Sequence, residues 1–231
     1  MARPKYVLSA APNEPCALKN FYSDGEGTIR YLFEHPGKER KSGSGWNFNT
    51  QSQAELVNGE ALGIRLGDDL SLRLYEDGVF VMIASSDDDY LCWGRYNDKE
   101  ILRLNPVAIT EITQSFAAFY SKILPSFEEG PKTIRFQINL INFLEGPKVQ
   151  LLPGEVESIY WSINREGKFL DINNKIDKFD LPIDTVKDYN KTAYLLIERL
   201  YRMFNHLPDA IPYTVIENNV KRISMEFLNK K

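Results

Sequence analysis

The stretch "LSLRLYEDGVFVMIA" (residues 70–84) constrains the fold more than any other part of the chain. Leu70, Leu72 and Leu74 alternate with Ser71, Arg73 and Tyr75, the two-residue period of a strand with one buried face. Asp77-Gly78 then reads as a two-residue hairpin turn, whose central positions need positive φ. After the turn, "VFVMI" is apolar at every position, which predicts a central strand covered on both faces. Just upstream, "ELVNGEALGIRL" carries the same turn signal at Asn58-Gly59, and "YLCWG" downstream predicts a third strand of one meander. A chain built this way folds around antiparallel hairpins.

Helical periodicity follows. Asn105 is a good N-cap and Pro106 suits the first helical position. Ile109, Ile112, Phe116, Phe119, Tyr120 and Ile123 recur at helical spacing, so one face is expected on the sheet. Residues 132–144 return to a strand through Ile134, Phe136, Ile138 and Leu140, and the slip at Ile141 reads as a bulge. Residues 28–33 fit helix or strand equally. After Pro182 a long amphipathic helix is predicted, with Ala193, Leu196, Ile197, Leu200 and Phe204 on its apolar side and Thr185 and Asp188 at capping-box spacing. Glu166-Gly167 marks a further hairpin, and Ile216, Val220, Ile223 and Phe227 are spaced like a last helix face. The fold class is α+β: a mainly antiparallel sheet of hairpins packed against two or three amphipathic helices. Two similar hairpin-helix units are one reading of this order. The expected division is 1–146 as an α+β domain, with 147–231 as a hairpin plus C-terminal helices in the same or a second domain.

Local chemistry excludes more than it assigns. The net charge of −4 gives no overall cationic field toward nucleic acid or anionic membrane. No run of about 20 apolar residues could span a membrane, and a cytoplasmic location is expected. Cys16 and Cys92 form no metal-ligand or disulfide pattern. The two histidines, His35 and His206, are too few for a multi-His metal site. "SSDDDYLCWGRY" (residues 85–96) reads as a solvated acidic turn entering a core strand, with Cys92 as a small hydrophobe. "SGSGW" lacks the spacing of a nucleophile elbow, and no phosphate loop is present. "HPGKERK" (residues 35–41), beside Trp46 and Phe48, is the densest basic stretch and could grip phosphate and stack a base; a solvated loop followed by aromatics pointing into the core is the favoured reading. No catalytic residue, metal ligand or cofactor is assigned.

Several phrases taken in order, "YVLSAAPNEP", "IRYLFEHPGKERKSGSGWNFNTQSQAELVNGE", "LRLYEDGVFVMIASSDDDYLCWGR", "LRLNPVAITEITQSFAAFYSKIL" and "TIRFQINLINFLEG", resemble the region downstream of the Schlafen AlbA-like DNA-binding domain in a group of bacterial proteins. The resemblance covers about residues 6 to 145 and carries no functional residue. It implies that the DNA-binding domain would lie N-terminal to residue 1, so that nucleic acid is met only through that missing domain. The expected function is a non-catalytic ligand-sensing or protein-interaction module of a nucleic-acid-associated transcriptional regulator. Its unknown small molecule or protein would sit in a cleft on the sheet near Trp46, Trp93 and Arg95. The alternatives are an oligomerisation domain without ligand, self-association being expected in either case, and a metal-dependent nuclease or other hydrolase. The last would need Asp87, Asp88 and Asp89 to converge with Glu76 or Asp77. The residues lean away from an enzyme.

Overall fold

The alternation at Leu70, Leu72 and Leu74 does form a strand with one sealed face, and six more strands align with it. A computed structural model of the chain describes residues 3–36, 46–48, 52–87, 90–93, 101–152, 154 and 167–225. In order the strands are β1 (Lys5–Pro12), β2 (Glu55–Val57), β3 (Ala61–Leu66), β4 (Leu70–Tyr75), β5 (Phe80–Ser85), β6 (Cys92–Trp93), β7 (Ile101–Leu104), β8 (Thr133–Ile141), β9 (Lys148–Leu151), β10 (Lys168–Phe169), β11 (Lys175–Pro182), β12 (Thr214–Glu217) and β13 (Val220–Ile223). The helices are α1 (Ile29–Glu34), α2 (Pro106–Ile123), α3 (Ile183–Lys187) and α4 (Tyr189–Met203). The fold is α+β.

Seven strands make one antiparallel sheet in the order β11-β8-β1-β5-β4-β3-β2. β11, from the last third of the chain, pairs along β8 from Lys175↔Leu140 to Pro182↔Thr133. The region beyond residue 146 therefore extends the sheet begun before it. A second sheet, β10-β9-β7-β6, contains one parallel pair, β7 with β9. β6 lies in this second sheet, so "YLCWG" does not continue the meander as expected. Its two residues, Cys92 and Trp93, pair with Leu104 and Arg103 of β7.

The turns explain two further differences. Asn58 and Gly59 take φ of +52° and +76°, as their sequence predicts. Around Asp77-Gly78 only Gly78 is positive, at +80°, and the Gly78 N–H donates to the Tyr75 carbonyl. Leu74 pairs with Phe80 and the Tyr75 N–H donates to the Val79 carbonyl, so Glu76, Asp77 and Gly78 form a three-residue loop with glycine at the left-handed position. The terminal helix expected through Ile216, Val220 and Ile223 is a hairpin, β12 with β13. Asn218 and Asn219 supply its turn at φ +51° and +61°, because asparagine tolerates the left-handed region that a two-residue hairpin needs. Phe227 and Glu166 lie outside the described residues.

The core lies on one side of the large sheet. Tyr6, Leu8, Ala10, Leu72, Leu74, Phe80, Met82, Ile134, Phe136, Ile138 and Leu140 are buried beside α2 residues Ile109, Ile112, Phe116, Phe119 and Tyr120. Asn105 caps α2 through hydrogen bonds accepted from the Val107 and Ala108 N–H groups. Every residue from Pro106 to Tyr120 is buried, so α2 is central and not amphipathic as expected. Several of its polar residues find internal partners: Thr113 Oγ1 lies 2.9 Å from Tyr6 Oη, and Gln114 Nε2 donates to Asn190 Oδ1 at 2.7 Å. Asn105→Ala is expected to cost about 1–2 kcal/mol, because two helix N–H groups lose their acceptor in a buried setting; urea unfolding measures it.

The long helix predicted after Pro182 is two helices. Asp188 leaves helical geometry at φ −84°, ψ +81°, caps α4 through the Lys191 N–H, and binds Arg222 Nε at 2.9 Å. The alternation of β8 runs unbroken through Ile141, which pairs with Lys5, so no bulge occurs there.

Candidate functional site

The other face of the seven-stranded sheet stays partly open. The register sets its side chains in rows. Asn139, Val7, Ile83, Ser71 and Arg65 form one row across β8, β1, β5, β4 and β3. Gln137, Ser9, Val81, Arg73, Gly63 and Glu55 form the next, reaching β2. Val81 and Ile83 are partly exposed, which corrects the reading of "VFVMI" as covered on both faces: Phe80, Met82 and Ala84 alone enter the core. An antiparallel sheet tolerates such a half-wet face.

Two shallow depressions lie on this face. One, of about 840 Å³, runs over Ser52, Glu55, Val57, Gly63, Arg65 and Arg73. The other, of about 490 Å³, runs over Lys5, Arg65, Asp68, Arg73, Ile83 and Ser85. Arg65, Ser71 and Arg73 line both, so they form the ridge where the two meet. None of the three has a side-chain hydrogen bond or ion pair among the described residues, although they carry two full positive charges. At the margin, Arg3 Nε lies 3.6 Å from Asp87 Oδ2, which also accepts from Ser85 Oγ at 2.9 Å.

The residues named from sequence lie elsewhere. The Trp46 indole N–H donates to the Tyr90 carbonyl at 2.9 Å, and its backbone N–H donates to Glu111 Oε2 at 3.0 Å. Trp46 thus ties its segment to α2 and to the residues entering β6, with its polar hydrogens engaged. Trp93 sits on β6 in register with Arg103; Arg95 lies outside the described residues. Phe48 is buried against Phe80, as a core aromatic. Cys92 is buried with Sγ 3.1 Å from the Ser86 carbonyl, as its strand setting implies.

Sequence reasoning does not single out Glu111 or Arg103. Glu111 is 3% exposed on α2 and accepts from Tyr213 Oη as well as Trp46. Tyr213 holds φ at +61°, a strained position for a bulky side chain. Arg103 has Nε and Nη1 enclosed without a hydrogen-bond partner among the described residues. Arg103 falls at the outward position of the Ile101–Leu104 alternation and Glu111 on the side of α2 away from Ile109, Ile112 and Phe116, so a regular pattern assigns both to solvent and does not flag them.

The acids required for a metal-dependent hydrolase are separated. Glu76 and Asp77 lie in the turn before β5 and Asp87 lies beyond its far end, about 20 Å away at a strand rise of ~3.3 Å per residue. Glu76 accepts from Tyr22 Oη and Asp77 from the Val79 N–H. Among the described residues no group of three or more His, Cys, Asp or Glu is placed to hold a metal ion. Asp88 and Asp89 lie outside those residues. No described helix is long and apolar enough to cross a membrane.

No family model, no curated protein and no solved structure matches the chain.

Proposed function

We propose that the chain is a non-catalytic binding module that receives a ligand or partner on the open face of its large sheet. The observation that carries this reading is the pair of depressions joined at Arg65, Ser71 and Arg73. These are three donors without partners among the described residues; Val57 lines the first depression and Ile83 and Ile141 the second, and Val7 and Val81 share the same sheet face. An apolar floor with convergent polar groups at its edge is the usual chemistry of a binding surface. The wider role, a sensing or interaction part of a nucleic-acid-associated regulator, rests on the resemblance across residues 6 to 145.

The test is a thermal-shift screen of the purified chain against nucleotides, acidic metabolites and phosphorylated peptides, with hits mapped by amide NMR. Binding that perturbs β1, β4 and β5 on their outward positions, with the ligand recovered unchanged, supports the module. Perturbations confined to the Glu111 and Arg103 region move the site elsewhere. Turnover of the ligand replaces the reading with an enzyme, and a ligand-free dimer that occludes the sheet face replaces it with an oligomerisation domain.

A further inference from the structure

We infer that Arg65, Ser71 and Arg73 form a phosphate-binding site on the open sheet. This rests on the reading of that face as the binding surface and names the chemical group it takes. Arg65 stands directly opposite Ser71 in the β3–β4 pairing, and Arg73 directly opposite Gly63. Arg65 and Arg73 are therefore diagonal neighbours, with backbones about 7–8 Å apart, inside the reach of two long side chains toward one ion. Ser71 lies between them and adds a hydroxyl.

The donor set selects the ion. One guanidinium satisfies both oxygens of a carboxylate, whereas two guanidinium forks and a hydroxyl match the larger number of acceptor oxygens and the higher charge of a phosphate. Gly63, opposite Arg73, has no side chain of its own, and the Val57 side chain fills the space where its Cβ would sit, setting an apolar wall beside the arginines. Glu55 and Asp68 line the depressions too, each in only one of them, while the shared ridge is cationic. Lys5 lines the second depression and adds positive charge on that side. Among the described residues no aromatic ring lines either depression, so base stacking does not contribute and the phosphate itself is the recognised group. That group can be carried by a nucleotide, a polynucleotide backbone or a phosphorylated peptide.

The experiment follows the arginine Nε–H signals by NMR while inorganic phosphate is added at constant ionic strength, with chloride as the control salt. AMP, a phosphoserine peptide and an oligothymidylate are then compared at equal phosphate concentration. Saturable shifts of Arg65 and Arg73 with phosphate, absent with chloride, are expected. Arg65→Gln combined with Arg73→Gln should weaken binding by about tenfold or more while leaving the unfolding midpoint nearly unchanged. Ser71→Ala should weaken it less. Preference for one of the three phosphate carriers identifies the natural source. Equal shifts in chloride, or unchanged affinity in the double variant, overturn the site. If phosphate fails but another ligand from the screen perturbs Val7, Val81 and Ile83, the phosphate inference falls and the binding face stands.

Discussion

Phe80→Ala is expected to destabilise the chain by about 3–5 kcal/mol, the usual cost of emptying a buried phenylalanine site. Phe80 is fully buried and its ring is the hub of an aromatic cluster. Phe116 and Phe119 of α2 lie at ring-centre distances of 4.9 and 4.8 Å, Phe48 at 6.0 Å and Phe33 of α1 at 6.2 Å. Removing the ring leaves a cavity bounded by four other rings from three separate parts of the chain, which cannot collapse together without moving α2. Phe80→Leu keeps most of the volume and is expected to recover more than half of the loss. Equilibrium urea unfolding of both variants measures this. A loss below about 1 kcal/mol for Phe80→Ala would mean that the cluster repacks freely, contrary to the usual response of a close-packed core.

Gly78→Ala is expected to cost about 2–5 kcal/mol, from two separable causes. The left-handed backbone at φ +80° costs an alanine roughly 1–2 kcal/mol. A Cβ there would also overlap the Cε1 and Cζ atoms of Phe127, which is itself buried, and forcing that ring aside adds about 1–3 kcal/mol. The Gly78 carbonyl accepts the Tyr120 hydroxyl at 3.2 Å, so a displaced loop also disturbs α2. Gly67→Ala isolates the first cause: Gly67 is at φ +53°, and nothing lies within 4 Å of where the alanine methyl would sit. The difference between the two variants in thermal or urea unfolding then reports the Phe127 overlap. Equal losses at the two sites would show that the ring yields at no cost.

The parts of the fold legible in the sequence are those set by neighbouring residues. Asn105-Pro106 marks the start of α2, and Leu70, Leu72 and Leu74 mark the inward face of β4, because caps and alternation act over a few positions. Longer-range features escape a local reading for a common reason. Val81 and Ile83 look like core in a continuous apolar run, yet no local signal reveals that one sheet face stays open. Ile216, Val220 and Ile223 satisfy a helical spacing by coincidence, and Asn218-Asn219 between them is the stronger signal. The buried polar residues of α2 are invisible in sequence, since their acceptors and donors come from Tyr6, Asn190 and Tyr213, far away along the chain. The candidate site is equally hidden. Arg65 and Arg73 are eight residues apart on separate strands, and only the β3–β4 register brings them together. Counting outward from the turn at Gly67 places them on one face, as strand alternation requires.

The position of β1 bears on how the chain reaches its native state. β1 lies inside the large sheet, third of its seven strands, yet precedes both of its neighbours in the chain, β5 ending at Ser85 and β8 ending at Ile141. Both pairings close long loops, so the entropy of closure is paid before these contacts reward it. During translation the β2–β5 meander can form from local contacts, while β1 waits for β5 on one edge and much longer for β8 on the other. The apolar residues Tyr6 and Leu8 remain unprotected through that interval. At typical synthesis rates of roughly 5–20 residues per second, emergence of β8 after β1 takes about 6 to 26 seconds. The topology thus leaves β1 without its pairing partners for much of synthesis and flanked on both sides once folded.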